Sequence, residues 1–101
     1  MIGTWQSLDD TRFTRELDAD GSATDRYEGN ADDAIKGNWI VFAGNVPPAD
    51  AKGRKLVPTA VYLEVRQNDD TLFYGLTGLT AQSLHMVYLE RGNALSFERI
   101  K

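Results

Sequence analysis

Apolar and polar residues alternate with a period of two along most of this chain, and short clusters of turn-forming residues interrupt the alternation. The pattern predicts eight strands, near residues 3–8, 11–17, 23–28, 35–42, 60–66, 71–79, 83–89 and 94–100, and no stretch holds a helical period. Four turns set the register. In "LDADGSA" a three-residue loop over Ala19-Asp20-Gly21, with Gly21 at positive φ, places Phe13 opposite Tyr27, Arg15 opposite Asp25 and Leu17 opposite Ala23. A similar loop over Asn68-Asp69-Asp70 places Val65 opposite Phe73 and Leu63 opposite Gly75. "LTAQSL" places Leu79 against Leu84 and Thr77 against Met86. "LERGNAL", turning at Arg91-Gly92, places Tyr88 against Leu95 and Met86 against Phe97.

All four hairpins pass on the same apolar face, and a slip of one residue would invert every side chain. The expected inward set is Phe13, Leu17, Val61, Leu63, Val65, Phe73, Leu79, Leu84, Met86, Tyr88, Leu95 and Phe97, joined by Trp39 and Val41. Sequential antiparallel strands with tight turns form a meander, and curling it shut removes the open edges. The expected fold is therefore all-β, an antiparallel up-and-down barrel of about eight strands, formed by residues 1–101 as a single domain. One connection departs from this plan. Ala43 to Thr59 holds all three prolines, and a loop of this length is either a tolerated insertion or a working surface.

Both tryptophans sit in a Gly-x-Trp setting, in "IGTWQ" and in "KGNWI". The first, at the head of an eight-strand meander, resembles the signature of the lipocalin and calycin superfamily, and the chain is most similar to short bacterial lipocalin-like domains. The resemblance implies that Trp5 closes one end of the barrel under a basic residue of the last strand, with Arg99 the natural partner and Lys101 second. It also implies an extracytoplasmic setting, periplasmic or secreted, and a small, partly apolar ligand in the interior. Trp39 is expected to be a core residue.

Composition narrows the function classes. The net charge of −4 lacks the concentrated basic surface that phosphate binding needs, so nucleic acid is not an expected partner. No apolar run approaches a membrane-spanning helix, and no segment reads as a leader. The chain has no cysteine, which removes disulfides and thiolate chemistry. With one histidine there is no pattern for a transition-metal site, and no cofactor is expected. "DADGSATD" spaces Gly21 wrongly for a calcium loop, and "NADDA", Asn30 to Ala34, reads as a solvated acidic loop.

The candidate ligand-binding residues are Arg15, Asp25, Tyr27, Thr77, Met86 and Tyr88. Arg15 and Asp25 are expected to pair across two strands on the inward face, either as a register-setting ion pair or as an anchor for a ligand's polar group. Gly75, Thr77 and Ala23 are small inward positions that leave space or admit larger neighbours. His85 is expected opposite Glu98 on the outer face. The preferred expectation is a non-enzymatic binding module with the 43–59 loop near an entrance. The alternative is a cell-envelope interaction domain that contacts a protein partner through that loop. Leu72, Tyr74, Leu76 and Ile40, expected to face outward, are the candidate surface for a homodimer.

Overall fold

A computed structural model describes residues 1–28 and 34–101. The strands are β1 (Gly3–Ser7), β2 (Phe13–Leu17), β3 (Ser22–Tyr27), β4 (Ile35–Ala43), β5 (Val61–Gln67), β6 (Asp70–Leu79), β7 (Ser83–Tyr88) and β8 (Ala94–Arg99). Each pairs antiparallel with the next, and β8 returns to β1 through Trp5↔Arg99, Gln6↔Glu98 and Ser7↔Phe97, so the sheet is a closed barrel. Successive strands reverse direction. The β1–β2, β5–β6 and β7–β8 turns therefore lie at one end, with the termini and the β2–β3, β4–β5 and β6–β7 connections at the other.

The β2–β3 hairpin has the expected register, with Arg15↔Asp25 flanked by Phe13↔Tyr27 and Leu17↔Ala23. Gly21, at φ +90°, makes the reversal, and its N–H donates to the Asp18 carbonyl.

The β5–β6 hairpin does not follow the expected register. Asn68 adopts a left-handed conformation, φ 53°, and Gln67 pairs with Asp70, so the loop has two residues instead of three. The whole of β6 is thereby inverted. Leu63 faces Tyr74, Val65 faces Leu72, and Phe73 lies beside Glu64 on the outer wall. Leu72, Tyr74 and Leu76 consequently belong to the interior cluster, which withdraws them from a dimer surface, while Ile40 remains exposed. Gly75 and Thr77 are not interior positions. A bulge between Leu76 and Gly78 then absorbs Thr77 as an extra residue and restores the expected Leu79↔Leu84 pair.

The β7–β8 pairing keeps its faces but slides by two residues, to Met86↔Leu95 and Leu84↔Phe97, because the turn is longer than Arg91-Gly92 alone. His85 accordingly pairs with Ser96, its Nδ1 3.0 Å from the hydroxyl, and not with Glu98.

The main core comprises Trp5, Leu17, Ala23, Leu63, Val65, Tyr74, Leu84, Met86 and Phe97, with Phe13, Trp39, Leu72, Leu76, Tyr88 and Leu95 packed against it. Trp39 donates its indole N–H to the Asp18 carbonyl at 2.9 Å, tying β4 to the β2–β3 turn. Val41, Val61 and Leu79 were expected inside but are exposed. β3 pairs with β4 only as far as Asn38, so Val41 lies beyond the end of that pairing.

The 43–59 segment forms a strap on the outer wall, where Ala51, in a single 3₁₀ turn at Ala49–Ala51, is fully buried with Phe42, Tyr62 and Phe73. The Val57 N–H donates to the Tyr62 hydroxyl at 2.8 Å, and the Arg54 guanidinium lies 4.4 Å from the centre of the Phe73 ring. The faces of β5 and β6 are thus both covered, one by the barrel interior and one by the strap.

Candidate functional site

At the end formed by the termini, the fully buried indole of Trp5 fills the barrel and donates its N–H to the Met1 carbonyl at 2.8 Å. The Arg99 guanidinium lies 4.5 Å from the ring centre and donates to the carbonyls of Ile2 and Ala81. Gly3, at φ +149°, is required here, because a Cβ would collide with Arg99 Nη1. The glycine of the first Gly-x-Trp thus makes room for the group that caps the tryptophan. In the second, Gly37 answers a different need, since a Cβ there would strike the Arg66 carbonyl of β5.

Toward the β1–β2 turn the interior opens into a cavity of about 310 Å³, lined by Ser7, Asp9, Asp10, Phe13, Arg15, Tyr27, Tyr74, Leu95 and Phe97. This volume lies at the small end of ligand sites, which run from about 300 to 1,000 Å³. The walls are apolar rings and one leucine, while the mouth carries two carboxylates.

Arg15 is the buried cation of this cavity, only 4% exposed. Its Nε and Nη2 each donate to Asp25 at 2.8 Å in a two-pronged ion pair, and the Gln67 amide also donates to Asp25. The guanidinium lies 5.0 Å from the centre of the Tyr74 ring and 5.6 Å from that of Phe13. Burial opposes its charge, but the hydrogen bonds it donates to Asp25, aided by Tyr74, prevail and hold it firmly protonated, above the ordinary arginine value. Although the Tyr74 hydroxyl beside the guanidinium helps to hold its charge, the remaining nitrogen, Nη1, completes no hydrogen bond of good geometry with the described residues. It is not sealed, since Glu64 Oε1 is the one side-chain nitrogen or oxygen among them that is both sealed and unpartnered. Arg15 thus spends one edge on Asp25 and turns the other to the cavity.

The mouth is built by the turn between β1 and β2. The Ser7 hydroxyl accepts the N–H groups of Asp9 and Asp10, which bends the chain over the barrel rim. Asp9 accepts the Ser96 N–H at 3.1 Å, pinning the turn to β8. Asp10 accepts the Tyr27 hydroxyl at 2.6 Å and the Arg12 Nε at 3.1 Å, and these two partners hold its carboxyl below the usual range. The same bond raises the Tyr27 phenol.

Of the six expected ligand-binding residues, Arg15 and Tyr27 line the cavity, and Asp25 stands directly behind Arg15. Met86 is sealed in the core, and Tyr88 packs against Tyr74 with ring centres 5.4 Å apart. Thr77 is exposed at the bulge, away from the cavity. Sequence reasoning missed Tyr74, inverted by the misjudged turn, and Gln67. The alternation Leu63, Val65, Gln67 carried the signal for Gln67, a polar residue at an inward position. No residue of 43–59 lines the cavity, so the strap is not at its entrance. The acidic "NADDA" stretch falls, apart from Ala34, outside the described residues.

A second concavity of about 190 Å³ lies on the outer wall, lined by Asn38, Trp39, Ile40, Glu64 and Arg66. Arg66 bridges Asp50 of the strap, at 2.7 Å, and Glu64, at 3.0 Å.

No family model, curated protein or solved structure matches this chain.

Proposed function

We propose that this barrel is a non-enzymatic binding module that takes a small, partly apolar molecule at the end opposite Trp5. The supporting observation is the cavity of about 310 Å³, in which Phe13, Tyr74, Leu95 and Phe97 offer apolar contact and Arg15 offers the guanidinium edge that Asp25 does not take. Binding sites combine such walls with a few placed polar groups, the first for affinity and the second for orientation. The buried Asp25 and Gln67 fix the guanidinium, so orienting a ligand would require no rearrangement of the arginine. This reading fits the short lipocalin-like domains that the first Gly-x-Trp resembles.

The test is an NMR titration of the isotopically labelled protein with compact amphiphiles. Binding in the cavity shifts the Arg15 side-chain N–H signals together with the backbone amides of Phe13, Leu95 and Phe97. Shifts confined to the outer wall, or none with any probe, would overturn the reading.

A further inference from the structure

The charges around the cavity point to a narrower ligand class. Arg15 is a matched cation, because Asp25 takes two of its hydrogen bonds and Gln67 supports Asp25 from the other side. The guanidinium thus has N–H donors to offer but no surplus charge. Asp10 is likewise matched, by Arg12. Asp9 has no cationic partner among the described residues and accepts a backbone N–H from Ser96. The balance of the lining is therefore negative.

Resting on the function proposed above, we infer that the cavity selects an uncharged ligand bearing a hydrogen-bond acceptor, such as an amide, ketone or alcohol, over a carboxylate of the same size. A carboxylate entering here gives up its hydration against phenyl and phenol rings, meets an arginine already neutralised, and passes an unmatched aspartate. A carbonyl oxygen gives up far less hydration and accepts the same Nη1 hydrogen. An alkylammonium gains from Asp9 but has no lone pair for Arg15, so its polar end would stay at the mouth. The volume, about ten water-sized groups, sets the length of the ligand at about ten heavy atoms.

Octanamide, octanoate and octylammonium are matched in size and differ in charge. Calorimetric titration of the intact chain at pH 7 and low salt should give octanamide the tightest binding, by roughly tenfold over octanoate. In Asp9→Asn, which keeps an oxygen to accept the Ser96 N–H, the deficit of octanoate should shrink. Octanoate or octylammonium binding as tightly as octanamide would overturn this inference and leave the binding function standing, as would a deficit unchanged in Asp9→Asn. Absence of binding by all three would overturn the binding function itself.

Discussion

Arg99 stacks on Trp5 across the seam where the last strand meets the first, with the guanidinium carbon 4.5 Å from the ring centre. One residue thereby performs two tasks. Its charge faces the indole, and its N–H groups join the carbonyls of Ile2 and Ala81, so the chain start and the β6–β7 turn meet at one side chain. Replacing it with methionine keeps much of the apolar stem and removes all three interactions. Arg99→Met should lose about 1.5–3 kcal/mol in urea unfolding. Arg99→Lys should recover only part of this, because an ammonium lacks the planar fork.

The two Gly-x-Trp glycines should both resist substitution, for separate reasons. Gly3→Ala drives a methyl group into the Arg99 guanidinium, at a backbone angle that L-residues avoid, whereas Gly37→Ala forces β4 away from the Arg66 carbonyl. Each should cost about 1–3 kcal/mol. They should differ in spectroscopy. Gly3→Ala should shift the NMR signal of the Trp5 indole N–H, and Gly37→Ala that of Trp39 instead.

Arg15 and Asp25 form a pair that is costly to break and far less costly to remove. Arg15→Met strands a carboxylate that is only 5% exposed, and should destabilise the fold by about 3–5 kcal/mol. Replacing both partners, Arg15→Met with Asp25→Leu, should recover much of that loss, although Gln67 is then left without its acceptor. A double-mutant cycle by chemical denaturation measures the coupling directly.

Asp50 and Glu64 bring two carboxyl groups together where the strap meets β5, with Arg66 shared between them. Burial first, and then the hydrogen bond with Asp50, raise the Glu64 carboxyl above its ordinary value. Burial also opposes the charge on Asp50, but Glu64 and Arg66 outweigh it and hold that carboxyl low. A proton on Glu64 can therefore bridge the two groups and occupy Oε1, which otherwise lacks a partner. The Glu64 contribution to docking is complete below the ordinary carboxyl range and is lost as pH rises through the raised value. The Asp50 contribution has the opposite sense, holding above its ordinary value and failing as pH falls through the lowered one. Hydrogen exchange at the Ala51, Lys52 and Val57 amides should accelerate with rising pH beyond the intrinsic base-catalysed rate. In Glu64→Gln this excess should vanish. Identical profiles in the two proteins would refute the bridge.

The sequence made the barrel legible because alternation and turn chemistry agree over most of the chain. Gly21 readily takes the positive φ that a three-residue loop needs, and the β2–β3 register followed from it, bringing Arg15 and Asp25 together. Asn68 was the misleading position. Asparagine enters the left-handed region without glycine's help, and that choice shortened the next turn by a residue. Local pattern could not detect the error, because "LFYGL" is apolar on both faces. Both faces are covered, by the interior and by the strap, so a strand of this kind carries no mark of which side is which. The bulge at Thr77 then concealed the inversion by restoring the Leu79↔Leu84 pair. The Arg15 half of the site was therefore readable, whereas the wall supplied by Tyr74 depended on a backbone angle at one distant residue.

Filling the cavity with a larger side chain should abolish the binding assigned to it. Leu95 borders it from β8, so Leu95→Trp should occupy the space without disturbing the strand ladder. With circular dichroism and thermal unfolding confirming an intact fold, calorimetry should show octanamide binding weakened by at least about tenfold relative to the unmodified chain. Undiminished binding in that folded variant would contradict the account, because the ligand would then lie somewhere other than beside Arg15.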